Sequence, residues 1–218
     1  MEGNLAGIVR DLQQAARVLA GLNCLPATDG NLSARLDGGR VVLTRKGIAK
    51  RELQPTDFVT VDVHESAPDG ASSEWMMHRA LYQHRPDVQC VLHAHAPGLT
   101  AFAVTERVPN TMLLAESALL LGRIAAVPFV TPGSAALGAA VIAADSRAAV
   151  YLLANHGAVA VGETVAEALY RLERAEFLAQ VEIAAAKLGA VIPLSDSQIA
   201  EIRYAYLRAT NPAGAARG

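Results

Sequence analysis

Apolar residues at positions 5, 8, 9, 12, 16, 18 and 19 recur at the spacing of one helical face and predict a helix over residues 4–22. Gly21 and Asn23 end it. A polar, glycine-bearing loop from Pro26 then gives way to alternation, so residues 31–36 read as a strand. Asp37-Gly38-Gly39 is a hairpin turn, 40–44 the returning strand, and Arg45-Lys46-Gly47 a basic turn that closes it. Residues 58–63 alternate as a further strand, and 65–73 form a polar loop. A helix is predicted over 74–84, with Ser73 as its N-cap. Further on come a short helix at 98–105, a strand at 125–130, a helix at 134–144 and a strand at 149–154. Asn155-His156-Gly157 turns the chain into a paired strand at 158–161, while the apolar run 111–121 is ambiguous. Thr164 and Glu167 form a capping box for a long helix to Leu188, and Ser195 and Gln198 a second box for a helix to Arg208. The tail 211–218 is expected to be flexible.

The stretch that organises this pattern is 88–95, Val-Gln-Cys-Val-Leu-His-Ala-His. Alternate side chains of a strand share a face, so His93 and His95 point one way and Cys90 the other. No repeat, linker or low-complexity segment interrupts the chain, which reads as one domain over 1–218. Most connections in the strand-rich middle are too short for repeated parallel crossovers. The fold class is therefore α/β, with a largely antiparallel sheet and helices at both ends of the strand-rich middle.

Composition narrows the function classes. Hydrophobic residues are 52% and charged ones 18%, enough for a buried core. The net charge of −2 carries none of the basic footprint of a nucleic-acid binder. Cys24 and Cys90 read as buried free thiols of a reducing compartment. The first residues have neither the charged lead nor the apolar core of a signal peptide, and no apolar run reaches the length of a membrane span. The expectation is a cytoplasmic protein with no membrane or nucleic-acid partner.

The chemistry lies in the histidines and one acid. His93 and His95 need at least one more ligand to hold a metal, and the chain offers Glu74 and His156. Three imidazoles match the ligand set of a catalytic zinc site with an open position. Glu74 is either an acid favoured by the helix dipole or a carboxylate beside the metal, as ligand or general base. His78 shares its face and could orient it, pack, or hydrogen-bond behind it. His64 and His84 read as solvated. Gly30-Asn31, Arg45-Lys46-Gly47 and Ser72-Ser73 can each present donors to an anion. Each alone is equally a turn or a cap, so their joint meaning depends on convergence in space.

Five motifs occur in order: Gly30-Asn31-Leu32-Ser33-Ala34-Arg35, Thr44-x-x-Gly47, Ser72-Ser73-Glu74-Trp75-x-x-His78, Val91-Leu92-His93-Ala94-His95 and Asn155-His156-Gly157. The set resembles the class II aldolase/adducin-head family, most closely its L-fuculose-1-phosphate aldolase type, over residues 5–205. The resemblance implies a three-layer fold, its central largely antiparallel sheet flanked by helices on both sides, and a homotetramer with active sites at subunit interfaces. It implies Zn2+ (or Mn2+ or Co2+) on His93, His95 and His156, approached by Glu74, which is also the catalytic acid–base. Gly30, Asn31, Gly47, Ser72 and Ser73 carry over as the phosphate site of a small phosphorylated sugar. The implied reaction is aldol cleavage of a ketose 1-phosphate to dihydroxyacetone phosphate and an aldehyde.

Two departures bear on the substrate. Lys46 stands where the family commonly has Thr or Ser, adding a cation that suits phosphate or another anion. Met112-Leu113-Leu114-Ala115-Glu116 has no tyrosine where the fuculose aldolases use one, and neither Tyr204 nor Tyr206 aligns with their C-terminal tyrosine. The apolar replacement suggests a deoxy or methylthio pentulose. The same scaffold serves sugar-phosphate dehydratases, 4-epimerases, sugar-acid decarboxylases and the non-catalytic adducin-like binding module.

Overall fold

The computed structural model describes residues 2–210, and the flexible tail expected at 211–218 lies outside the described residues. The elements are α1 (Glu2–Gly21), β1 (Asn31–Arg35), β2 (Arg40–Thr44), β3 (Phe58–Asp62), α2 (Trp75–His84), β4 (Cys90–Ala94) and α3 (Pro97–Ala103). They continue as α4 (Ala115–Leu120), β5 (Ile124–Val127), α5 (Ala135–Ala144), β6 (Val150–Leu153), β7 (Gly157–Gly162), α6 (Val165–Leu188) and α7 (Asp196–Thr210). Among the described residues the strands form one sheet in the order β3-β2-β1-β4-β7-β6-β5.

Every neighbouring pair is antiparallel except β5 and β6. That exception follows from the connection: α5 carries the chain back across the sheet, and a crossover of this length makes the next strand parallel. The sheet is mostly antiparallel, as the short connections predict.

The pleat sorts the core into two layers. Leu12, Leu19, Leu99, Leu172 and Leu178, from α1, α3 and α6, pack against Leu32, Cys90, Leu92 and Ala160 on one face. Trp75, Met77, Leu81, Leu137 and Val141, from α2 and α5, pack against Val41, Val91, Tyr151 and Val159 on the other. Burying each such large apolar side chain contributes about 1.5–3 kcal/mol. Cys90, Leu92 and Ala94 share the first face, which turns His93 towards the side of α2.

Several boundaries differ from the pattern reading. Asp37–Gly39 forms a 3₁₀ turn between β1 and β2, with both glycines at positive φ (71° and 78°). The strand expected at 125–130 is Ile124–Val127, because β6 ends its pairing at Val127. The ambiguous run resolves into a 3₁₀ turn at Thr111–Leu113 followed by α4. The N-cap of α2 is Glu74 rather than Ser73, and its carboxylate makes no cap bond. Instead Ser72 Oγ accepts from the Glu74 N–H at 3.3 Å, which frees the carboxylate to turn away from the helix. The box at Ser195 and Gln198 forms in both directions. At α6, Thr164 accepts from Glu167 N–H, while the Glu167 carboxylate reaches Glu163 N–H.

Candidate metal centre and anion cavity

Register builds the site. Asn31 at the start of β1 lies opposite His93 on β4, and His93 lies opposite Val159 on β7. His95 follows the end of β4, and its backbone N–H donates to Cys24 O at 2.9 Å. His156 sits in the β6–β7 turn beside Asn155, which takes a positive φ of 56°. Gly157 lets this turn close on β4, since a Cβ there would stand 2.7 Å from Ala94 O and 2.9 Å from His95 Cδ2. Beyond His95, α3 begins under the buried Glu176, whose two oxygens accept from Gly98 N–H at 2.8 Å and Leu99 N–H at 2.9 Å.

The three imidazoles offer ligand atoms that all lie within 4.8 Å of one another. His93 Nδ1 donates to Ala158 O at 3.0 Å, so its Nε2 carries a bare lone pair. That nitrogen is 3.2 Å from His95 Nε2 and 3.0 Å from Glu74 Oε2. His95 Nδ1 faces Asp29 Oδ2 at 3.3 Å, which turns its other nitrogen inward in the same way. His156 Nε2 is 3.6 Å from Glu74 Oε1.

The polar atoms of this arrangement suit a cation. Both Glu74 oxygens and His156 Nδ1 are buried without a hydrogen bond, and lone pairs of two imidazoles face each other. Burial, together with His156 and His95, pushes His93 well below the usual imidazole range. Burial, reinforced by His95, lowers His156 to about 4. Both are therefore neutral near pH 7, the form that ligates. Burial raises Glu74 above its ordinary value, against the pull of the nearby Asn31 amide and Gly133 backbone. The residues fit a divalent metal: three imidazole nitrogens and one carboxylate suit zinc, manganese or cobalt.

The anion segments converge on the same place. Gly30, Asn31, Lys46, Gly47, Ser72, Ser73, Glu74 and the three histidines all line one cavity of about 280 Å³. Gly30 and Gly47 both hold φ of 74°, the left-handed region that glycine adopts freely. At Gly30 a Cβ would also press on Leu25 and on His93 O. A larger groove of about 500 Å³ between α2 and α5 is lined by Met76, Ala80 and Ala139 and holds no cluster of ligating groups.

Arg45 lines the cavity beside Lys46, as the basic turn suggested, whereas Asp29 and Lys50 escape a sequence reading. Asp29 faces His95. Lys50 is almost wholly buried, and its ammonium donates to Thr28 O at 2.8 Å and Ile48 O at 2.6 Å. It thereby ties the loop before Gly30 to the turn after Gly47. A lysine among charged neighbours gives no periodic cue to such a role. Residues 112–116 do not line the cavity of their own chain. His64 and His84 are exposed.

Residues 10–183 match the family model described as Class II Aldolase and Adducin N-terminal domain. The chain belongs to this family. A Rhodospirillum rubrum relative named 5-methylthioribulose-1-phosphate/5-deoxyribulose-1-phosphate aldolase is 34% identical over 83% of this chain and 82% of its own length. A Methylococcus capsulatus relative named methylthioribulose-1-phosphate dehydratase is 30% identical over 79% of this chain and 91% of its own. A solved L-fuculose 1-phosphate aldolase shares the fold with a TM-score of 0.80 at 24% identity, over 92% of this chain and 96% of that one. Family membership thus agrees with the motifs, and the curated relatives span two reactions. Among the described residues no helix is long and apolar enough to cross a membrane.

Proposed function

We propose that this class II aldolase-family chain is a zinc-dependent lyase that cleaves a ketose 1-phosphate into dihydroxyacetone phosphate and an aldehyde. The observation that carries the reading is the meeting of three imidazoles, a buried carboxylate and the anion segments in one cavity. His93, His95 and His156 would hold the metal, with Glu74 close by. When bound, a divalent metal would supply a Lewis acid for the charge that develops beside the breaking bond.

The chain's own residues do the rest. Gly30, Asn31, Lys46, Gly47, Ser72 and Ser73 bind the phosphate and so fix the distance from C1 to the reacting carbons. Glu74 moves the proton at C3, and burial keeps its affinity for that proton above the ordinary carboxylate range. In cleavage the C3–C4 bond breaks, the C4 hydroxyl gives up its proton to become the aldehyde, and C3 gains a proton. The tyrosine-free segment 112–116 lies outside its own chain's cavity. This supports a homotetramer in which a neighbouring subunit presents that apolar segment. Exposed Phe129, Tyr170 and Phe177 favour such an assembly. An aldehyde fragment with few hydroxyls, deoxy or methylthio, fits that surface.

Dehydration is the second reading, favoured by the relative named methylthioribulose-1-phosphate dehydratase. There C3 loses its proton as the C4 hydroxyl leaves, so Glu74 serves the same carbon. The deciding experiment supplies zinc-loaded protein with 5-methylthioribulose 1-phosphate and with 5-deoxyribulose 1-phosphate, the sugars in the relatives' names. Release of dihydroxyacetone phosphate supports the lyase, whereas a product lacking one water and retaining the full carbon chain assigns the dehydratase. Turnover of neither compound, nor of fuculose 1-phosphate, would remove the ketose 1-phosphate reading.

A further inference from the structure

Behind Glu74 runs a chain of buried side chains, Tyr82, Ser33 and His78, that the proposed chemistry does not touch directly and that ends on Asn31. Tyr82 Oη and Ser33 Oγ are 2.8 Å apart, and Ser33 Oγ is 2.6 Å from His78 Nδ1. On the other edge of the ring, His78 Nε2 meets the Asn31 side-chain oxygen. Asn31 is at the mouth of this chain and lines the cavity, while His78 is completely buried.

The donors can be assigned in sequence. His78 is enclosed, and burial lowers its pKa to about 3, so at neutral pH the ring carries one N–H. The Asn31 oxygen can only accept, which places that hydrogen on Nε2. Nδ1 must then accept, and the available donor is the Ser33 hydroxyl. Ser33 Oγ in turn accepts from the Tyr82 phenol. Each bond then has one donor and one acceptor. With its oxygen held by His78, the Asn31 amide leaves its NH2 end for the cavity that Asn31 and Glu74 both line.

We propose that His78 is a positioning residue: through its Nε2–H it locks the Asn31 amide so that NH2, rather than C=O, faces Glu74 and the substrate's anion. A flipped amide would put a carbonyl dipole against a carboxylate and a phosphate, replacing two attractions with two repulsions. Ser33 and Tyr82 hold the ring in the required tautomer. The Asn31 and Glu74 roles rest on the functional reading above, so the test begins with a measurement that needs no turnover.

The nitrogen NMR spectrum of full-length, zinc-loaded protein labelled at histidine reads the tautomer directly. The expected result near neutral pH is a protonated Nε2 and a bare Nδ1 for His78. An Nδ1–H tautomer or an imidazolium would overturn the proposal, whatever the enzyme's reaction. Two variants then separate positioning from packing. His78→Phe fills the space without a donor and should weaken inorganic phosphate binding by about 10-fold or more, with zinc content unchanged. His78→Gln, whose amide can donate to Asn31 from a similar position, should restore most of that affinity. Equal phosphate affinity in wild type and His78→Phe, or equal losses in both variants tracking a common fall in melting temperature, would assign His78 to packing alone.

Discussion

The attachment of α3 just beyond His95 offers a quantitative test of how the fold holds the site. Glu176 is 3% exposed, and its carboxylate accepts from two backbone N–H groups at the α3 N-terminus, at 2.8 and 2.9 Å. Gln180 Nε2 donates to the same carboxylate at 2.6 Å. A hydrogen bond to a charged group contributes about 1.5–3 kcal/mol, and removing the acceptor strands both buried donors. Glu176→Ala should therefore cost about 3–5 kcal/mol, a large fraction of the 5–15 kcal/mol typical of a domain. At this chain length that is a fall in melting temperature on the order of 10 °C. Glu176→Gln keeps one acceptor oxygen and should lose about half as much. The neighbouring glycine matters for the same reason: a Cβ at Gly98 would stand 3.0 Å from one Glu176 oxygen and 3.1 Å from the other. Urea unfolding of the metal-free protein, followed by circular dichroism, measures the difference. Because α3 begins two residues after His95, the variant should also bind metal more weakly. A Glu176→Ala midpoint indistinguishable from wild type would refute the assignment of this carboxylate as the clasp.

Acid should weaken the metal-free fold. His78 titrates near 6.5 when unfolded but at about 3 in the fold, so the unfolded chain binds its proton first. Stability is full above 6.5 and is lost as pH falls towards about 3. That gap is worth on the order of 5 kcal/mol. Urea midpoints recorded across this range should fall and then level, and a flat profile contradicts the burial of a neutral ring. Lys50→Met removes the tie between the Thr28 and Ile48 carbonyls. Global stability should change by less than about 2 kcal/mol, because the lost bonds are offset by no longer burying a charge. Calorimetry should nonetheless show inorganic phosphate binding reduced about 10-fold, and unaltered binding would mean that the two loops hold their places without Lys50.

What was legible in the sequence is local. The β1–β2 hairpin, the caps at Thr164 and Ser195 and the face shared by His93 and His95 depend on neighbours a few residues away. Their physical rules act at that range. The parallel pairing of β5 with β6 is set by the path of α5, which alternation within either strand cannot encode. Ser73 looks like a good cap, but Ser72 bonds to the Glu74 N–H and Glu74 becomes the first residue of the helix boundary. The ordered motifs carried the family, while composition and periodicity alone left the metal ligands as alternatives. Their convergence needed the β1–β4–β7 register, which brings residues from opposite ends of the chain to one sheet end. Glu176, Lys50 and the Tyr82–Ser33–His78–Asn31 chain stayed hidden because each joins segments far apart in sequence. A buried polar residue looks like an exposed one until the groups around it are known.

The proposed chemistry depends on a metal held by His93, His95 and His156. The direct measurement is the metal content of gently purified protein reconstituted with zinc, compared between wild type, His93→Ala and Glu74→Gln. The expected result is about one zinc per wild-type chain, its loss together with activity in His93→Ala, and its retention without turnover in Glu74→Gln. Equal zinc content in wild type and His93→Ala, or full turnover by Glu74→Gln, would contradict it.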